Sequence, residues 1–207
     1  MKYRSLIILL ALVVLLAACS AEKQIPVENF TYARSVSPEE AALRDNFVAT
    51  ATAWLGTNEA DGSHKAIIDL YNGHTPLAQG YTVKYDDEWC ATFVSAVAIE
   101  CGLTDIIPTE CSCERQINLF DGLGCWVEDD AYIPLPGDII YYRLGNTDSG
   151  DCTKWANHVG IVIGTWEGKI RVIEGNNADK VTYRTLEIDA PIIRGFAVPN
   201  FAPAETE

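Results

Sequence analysis

A cysteine at the start of a helix-like segment is the residue in this sequence best suited to nucleophilic chemistry. Asp86 and Asp87 stand where the N-cap of a helix is expected, and Gly102 stands where the helix should end. The apolar residues at helical spacing between them are Phe93, Val94, Val97, Ala98 and Cys101. This spacing predicts an amphipathic helix with Cys90 in its first turn. The helix dipole would favour a thiolate there, although an isolated cysteine is more often a small buried apolar residue.

Two strand-like segments further along the chain carry groups that could activate this thiol. His158 opens one run of β-forming residues, and Glu174 and Asn176 end the next. Residues 166–169 between the two runs predict a hairpin. Neighbouring antiparallel strands can bring a carboxylate beside an imidazole, so that the carboxylate orients the ring and the ring accepts the thiol proton. Each of these residues alone is more often structural, and the ordered set is what indicates catalysis.

The order of the predicted elements indicates an α+β fold. Ser37, Pro38 and Glu40 have the arrangement of a capping box at the start of a helix that ends before Gly56. The other predicted helices cover 63–71, the segment that begins near Cys90, and 109–120; the predicted strands cover 136–142, 158–165, 170–176, 181–188 and 192–198. Helices followed by a meander of about five antiparallel strands predict N-terminal helices packed on one sheet.

The composition is that of one ordinary globular domain. The chain has 207 residues, of which 48% are hydrophobic and 21% charged, which is ample material for a core. The net charge is −14, and the 15 Lys and Arg residues form no basic patch in the sequence. The composition therefore disfavours nucleic acid as a partner, and charge would not draw the protein to a membrane.

The first residues have the pattern of a bacterial lipoprotein signal. Lys2 and Arg4 precede an unbroken apolar run over 6–18, which is too short for a comfortable transmembrane helix. The run leads into Leu16-Ala-Ala-Cys19, which resembles a lipobox, so we expect cleavage before Cys19 and lipidation of its thiol. A simple cleaved secretory signal is the alternative.

This signal sets the expected organisation of the chain. Residues 1–18 are the predicted signal peptide, and 19–36 are the lipidated cysteine with a flexible tether. Residues 37–200 are the predicted catalytic domain, and 201–207 a loose C-terminal tail. We therefore expect a secreted protein held by a lipid anchor at the outer face of a bacterial cell membrane.

Five cysteines remain besides Cys19 and Cys90, and they are Cys101, Cys111, Cys113, Cys125 and Cys152. Cys111, Cys113 and Cys125 could be soft metal ligands, but no fourth ligand lies at zinc-like spacing, so we predict no metal site. A disulfide within the set and burial as free thiols both remain open.

Four short motifs follow one another along the folded part of the chain, and together they resemble the CHAP family. They are Glu88-Trp-Cys-Ala-Thr-Phe-Val94, Pro136-Gly-Asp-Ile-Ile140, His158-Val-Gly-Ile-Val162 and Glu174-Gly-Asn176. CHAP proteins are cysteine, histidine-dependent amidohydrolases/peptidases of the papain-like superfamily. The resemblance covers residues 40–200 and implies a papain-like fold and hydrolysis of an amide bond in bacterial peptidoglycan.

The resemblance also implies roles for particular residues. Cys90 would be the nucleophile, His158 the general base and then acid, and Glu174 the group that orients the ring. Asn176 would be a second polar group or an oxyanion donor. The candidates for lining a substrate groove flank the reacting residues and are Tyr85, Trp89, Trp155 and Asn157.

We expect no cofactor. Some CHAP enzymes bind calcium through an acidic loop before the cysteine, but here helix capping is the simpler role for the acidic residues 86–88. The leading hypothesis is a membrane-anchored N-acetylmuramoyl-L-alanine amidase, or an endopeptidase of the stem peptide or cross-bridge. The alternatives are an inactive CHAP-fold lipoprotein that binds or scaffolds the envelope, and a hydrolase of this fold that cleaves an amide outside the cell wall.

Overall fold

The structure is a computed structural model, and it describes residues 34–202 of the chain. The predicted signal peptide, Cys19 and most of the tether lie outside the described residues. Within 34–202 no helix is both long and apolar enough to cross a membrane.

Four helices form the N-terminal half of the described chain. They are α1 (Pro38–Ala53), α2 (Lys65–Asn72), α3 (Cys90–Glu100) and α4 (Cys113–Gly122), with a single turn of 3-10 helix at Ala78–Gly80. The capping box predicted at the start of α1 is only half formed. The side chain of Ser37 accepts a hydrogen bond from the backbone N–H of Glu40 at 3.1 Å. The Glu40 carboxylate bonds instead to Arg44 and Arg34, at 2.8 and 3.0 Å.

Helix α3 differs from the prediction at its start and on its surface. Asp87 does not cap it, because its carboxylate accepts hydrogen bonds from the Lys84 backbone and the Tyr81 hydroxyl, at 2.8 and 2.7 Å. The N-cap residue is Trp89, whose side chain makes no capping bond. All residues from Cys90 to Ala98 are buried, so α3 is a core helix and the prediction of an amphipathic helix was wrong. The helix ends before Gly102, as predicted.

One antiparallel sheet of six strands forms the C-terminal half. The strands are β1 (Trp126–Val127), β2 (Ile139–Tyr142), β3 (His158–Trp166), β4 (Lys169–Glu174), β5 (Thr182–Glu187) and β6 (Ile193–Ala197). Their order across the sheet is β1-β6-β2-β3-β4-β5. The α+β class is therefore confirmed. The predicted simple meander is wrong at its end, because β6 returns to pair with β2 on the side away from β3.

Side chains alternate between the two faces of the sheet along each strand, and the central strands β2 and β3 are buried on both faces. Ile139 and Tyr141 join the core that the helices form, whereas Ile140 and Tyr142 join a smaller apolar cluster on the opposite face. The main core also includes Phe201, which is 1% exposed and contacts Phe47 and the Arg44 guanidinium. The folded part thus extends to Phe201, which the sequence analysis assigned to the loose tail.

Candidate active site

The first residue of β3 and the last residue of β4 meet through a direct hydrogen bond. His158 Nε2 lies 3.0 Å from Glu174 Oε2, and the two side chains are 7% and 0% exposed. Ile161 pairs with Ile173 in the sheet, which places Glu174 diagonally across from His158 on the neighbouring strand. The structure therefore brings together the imidazole and the carboxylate that the sequence proposed as partners.

A glycine makes room for this contact. A methyl group on Gly160 would lie 2.5 Å from Val172 Cγ1 and 2.7 Å from Glu174 Cγ. Because glycine has no side chain there, the Glu174 side chain can lie over the β3 backbone and reach His158. Gly160 thus supports the site through the space that it leaves open.

A second glycine brings the end of β4 against the start of α3. A methyl group on Gly175 would lie 2.4 Å from Phe93 Cβ and 2.9 Å from the Trp89 ring. The backbone that follows Glu174 therefore packs directly on the first turn of α3, where Cys90 lies. This close approach positions the thiol beside the imidazole, although the two residues are far apart in the sequence.

The surroundings of the Cys90 thiol and the His158 imidazole favour a charge-separated state of this pair. Hydrogen bonds from Cys113 and from His158 lower the pKa of Cys90 well below its ordinary value, despite burial. Burial lowers the pKa of His158, but the interactions with Cys90 and Glu174 outweigh burial and raise that pKa to about 9. Since Glu174 occupies Nε2, Nδ1 is the ring nitrogen that remains for the thiol. These opposite shifts favour a thiolate beside an imidazolium.

The start of α3 adds a second source of stabilisation for negative charge. The first backbone N–H groups of a helix lack partners within the helix, and Trp89 supplies no side-chain cap. The N–H of Ala91 interacts with the Cys90 sulfur and also lowers the pKa of this thiol. A negative charge on the sulfur, or on an oxygen bound next to it, would be stabilised at this helix end.

Three residues of the site escaped the sequence analysis as site residues. Arg184 on β5 donates from Nε to Glu174 Oε1 at 2.6 Å. The Tyr142 ring stacks on the His158 ring, with centroids 6.0 Å apart. Cys113, the first residue of α4, has its sulfur 3.8 Å from that of Cys90. The sequence gave no signal for any of them, because the predicted helix over 109–120 placed Cys113 in its interior and the other two depend on strand register.

Asn176 is placed differently from the prediction. Strand β4 ends at Glu174, and Asn176 has a positive φ of 54°, so the alternation of the strand no longer sets its direction. Its side-chain amide donates to Glu88 at 2.7 Å. The structure thus joins Asn176 to the segment before Cys90, and not to the hydrogen bond between His158 and Glu174.

The four residues predicted to line a substrate groove do not lie together in the structure. Trp89 is fully buried and donates to Glu59, so it cannot line an open groove. The Asn157 side chain bonds to the backbone of Leu144 and holds the chain ahead of β3. Trp155 is 76% exposed, so its ring is open to solvent.

Tyr85, the fourth groove candidate, is half-exposed and borders a cleft of about 650 Å³. His64 and Asp69 are among the other residues that line this cleft, and the Tyr85 hydroxyl donates to Asp69 at 2.7 Å. Neither Cys90 nor His158 lines it, so the structure does not join Tyr85 to the reacting pair.

The six cysteines in the described part of the chain are all free thiols: Cys90, Cys101, Cys111, Cys113, Cys125 and Cys152. Of the two alternatives left open by the sequence, free thiols are what the structure contains. No group of three or more His, Cys, Asp or Glu side chains within residues 34–202 is arranged to hold a metal ion.

Comparisons with known proteins do not assign this chain to a family. No protein-family model matches the chain, and no curated protein matches it. Among solved structures, the crystal structure of Ly7917 is 11% identical to this chain, with a TM-score of 0.37. The alignment covers 75% of this chain and 62% of the Ly7917 chain. A likeness at this level carries no argument about fold or function.

Proposed function

We propose that this protein is a cysteine amide hydrolase of the CHAP type, with a papain-like arrangement of its helices and sheet. The observation that carries the proposal is the connected series of Cys90, His158 and Glu174, in which the pKa values of the thiol and the imidazole shift in opposite directions. Opposite shifts in an adjacent pair support a nucleophile with its acid–base partner.

The chemistry begins with the thiolate. Cys90 attacks the carbonyl carbon of an amide, and the carbonyl oxygen becomes an oxyanion. Backbone N–H groups at the start of α3 stabilise the negative charge of this oxyanion. The His158 imidazolium then gives its proton to the leaving amine, and a thioester remains on Cys90.

Water completes the reaction. The His158 ring, now neutral, removes a proton from a water molecule that attacks the thioester, and Cys90 leaves as a thiolate. Glu174 holds the ring through Nε2 during both steps and stabilises its charged form. Because Arg184 bonds to the other carboxylate oxygen, Glu174 keeps one orientation throughout.

For the substrate we propose bacterial peptidoglycan, cleaved by an N-acetylmuramoyl-L-alanine amidase or a stem-peptide or cross-bridge endopeptidase activity. This choice rests on the resemblance of the four motifs to the CHAP family and on the lipobox-like sequence before Cys19. A lipid anchor at the outer face of the cell membrane would hold the enzyme beside this polymer.

The test uses the full-length chain and purified cell walls. We expect the wild-type protein to release peptides or new amino groups, and we expect Cys90→Ala to release none. Cys101→Ala is the matched control, because Cys101 follows the other end of α3 and its sulfur bonds to the Asn46 carbonyl oxygen. Equal release by wild type and Cys90→Ala, or no release by wild type, would reject the proposal. Mass spectrometry of the released fragments identifies the bond that is cut.

A further inference from the structure

Two free thiols lie side by side at the centre of the candidate active site. The sulfurs of Cys90 and Cys113 are 3.8 Å apart, and each cysteine is the first residue of its helix. A disulfide bond is about 2.0 Å long, so these sulfurs need to approach by roughly 1.8 Å. Rotation of the two cysteine side chains between rotamers moves their sulfurs over distances of this size.

The helix that carries Cys113 is fixed next to Cys90 by polar contacts. Gln116 accepts a hydrogen bond from the Tyr141 hydroxyl at 2.9 Å and donates to the Pro108 carbonyl oxygen at 2.9 Å. The Glu114 carboxylate accepts from the backbone N–H of Ala156. These contacts connect the start of α4 to the sheet and to the chain ahead of β3, so Cys113 stays beside Cys90.

The two thiols are chemically unequal. The pKa of Cys90 is lowered, whereas the hydrogen bond to Cys90, burial and the Cys90 charge raise the pKa of Cys113 well above its ordinary value. These shifts make Cys90 the more reactive sulfur toward an oxidant, and they favour the protonated thiol at Cys113.

Three of the other four described thiols have oxygen neighbours, and Cys152 is a buried free thiol. The sulfurs of Cys101, Cys111 and Cys125 contact oxygen atoms, namely the Asn46 carbonyl, the Glu110 carboxylate and the Leu123 carbonyl. Cys111 is only two residues from Cys113 in the sequence, yet its sulfur donates to Glu110 Oε1, at a distance of 3.6 Å. The structure therefore singles out Cys113 as the partner of Cys90.

We propose that Cys113 is a resolving thiol, which forms a reversible disulfide with Cys90 when the protein meets a hydroperoxide. As a statement about regulation of the hydrolase, this rests on the proposed function. The disulfide would remove the nucleophile while it lasts, and it would protect Cys90 from irreversible oxidation.

The reaction with hydrogen peroxide has two balanced steps. The Cys90 thiolate attacks one peroxide oxygen, the O–O bond breaks, and hydroxide leaves and takes up a proton to form water. Cys90 is then a sulfenic acid. The Cys113 sulfur attacks the Cys90 sulfur, the S–O bond breaks, and hydroxide leaves with the Cys113 proton as a second water. Counting the proton that Cys90 has given to His158, the two thiols lose two protons and two electrons, and the peroxide is reduced to two water molecules.

The experiment uses the full-length chain, reduced and then treated with hydrogen peroxide. Remaining thiols are alkylated with iodoacetamide, and peptides are mapped by mass spectrometry. We expect the peptides of Cys90 and Cys113 to be joined in wild type and in the control Cys101→Ser. Wall hydrolysis should be lost after peroxide and restored by dithiothreitol. In Cys113→Ser we expect Cys90 to reach the sulfinic acid, and dithiothreitol should restore none of that variant's own starting rate.

The outcomes separate this proposal from the proposed function. The proposal is overturned if wild-type Cys90 is oxidised while Cys113 remains free to alkylate, or if Cys113→Ser recovers as fully as wild type. Peptide mapping needs no turnover. A joined pair in a chain that releases nothing from cell walls would support the resolving role of Cys113 and reject the hydrolase. Release of wall fragments by a protein in which peroxide does not join Cys90 to Cys113 would support the hydrolase and reject the resolving role of Cys113.

Discussion

The two oxygens of the Glu174 carboxylate have different partners: Oε1 accepts a hydrogen bond from Arg184 Nε at 2.6 Å, and Oε2 lies 3.0 Å from His158 Nε2. The Glu174 side chain is fully buried, so both of its oxygens need partners inside the protein. Arg184 thus acts on the site through Glu174, as a positioning residue, and it extends the series of interacting groups from the thiol to β5.

Replacing Arg184 should therefore cost stability as well as activity. Arg184→Met leaves Glu174 Oε1 without its charged partner, and we expect the free energy of unfolding to fall by about 1–3 kcal/mol. Urea denaturation measures this loss. Lys169→Met is the matched control, because Lys169 pairs with Glu187 across the same two strands at 3.6 Å but both side chains are exposed. Its cost should stay below ~1 kcal/mol. Equal costs for the two variants would contradict the role given to Arg184.

Removing the Glu174 charge should change the pH dependence of hydrolysis. Interactions with Cys90 and Glu174 raise the pKa of His158 to about 9 from an ordinary 6.5. In Glu174→Gln the contribution of the carboxylate is lost, so the alkaline limit of activity should move down from about 9 toward 6.5. We also expect the rate at neutral pH to fall about 10²- to 10⁴-fold.

The control for this change is Glu187→Gln, whose carboxylate lies 69% exposed on β5. It should leave the pH profile where it is in the wild type. If Glu174→Gln lowered the rate equally at every pH, Glu174 would be a structural residue and not the group that sets the imidazole pKa.

The wild-type protein should itself show an alkaline limit on activity that is not matched by a loss of stability. In the proposed mechanism His158 must be protonated to supply the leaving amine with a proton, so hydrolysis should fall as the pH rises through about 9. The raised pKa of His158 alone would stabilise the folded protein fully below 6.5 and lose this effect as the pH rises to about 9. The lowered pKa of Cys90 contributes with the opposite sign over the same range, so we expect the free energy of unfolding to change little there. Rate profiles and denaturation series at several pH values measure the two effects. A rate that keeps rising beyond this pH would exclude an imidazolium acid.

Gly160 offers a test of the packing that brings Glu174 to His158. In Gly160→Ala the new methyl group would meet Val172, Glu174 and the Ile173 carbonyl oxygen at 2.5 to 2.9 Å. We expect a loss of about 1–3 kcal/mol in the free energy of unfolding, together with reduced hydrolysis, because the Glu174 side chain must move. Gly122→Ala, which has nothing within 4 Å of its new methyl group, should lose neither. A fully active Gly160→Ala would show that the position of Glu174 does not depend on this gap.

The comparison of sequence and structure shows which parts of the site could be predicted from local pattern. His158 and Glu174 could be paired because they stand at the facing ends of two strands joined by a hairpin, and a hairpin fixes which ends meet. Asn176 could not be placed in the same way. It lies beyond the end of β4 in a backbone conformation with positive φ, where the alternation of a strand no longer applies.

The parts that local pattern could not predict depend on packing between distant elements. Arg184 reaches Glu174 through the register of β4 and β5, and Cys113 reaches Cys90 because two helix starts meet in the core. Strand β1 at the sheet edge could not be predicted either, since it has only two residues and is too short to show an alternating pattern. The burial of α3 from Cys90 to Ala98 also follows from the elements packed around it, which its own sequence does not specify.

The central claim is that Cys90 forms a covalent bond with the substrate, and trapping that bond tests it most directly. The wild-type chain is mixed with solubilised peptidoglycan fragments and quenched in acid during turnover, and its peptides are then mapped by mass spectrometry. We predict a wall fragment attached as a thioester to the peptide that carries Cys90, and no fragment on that peptide in Cys90→Ala. Undiminished turnover by Cys90→Ala, or a wall fragment attached to another residue, would contradict the account.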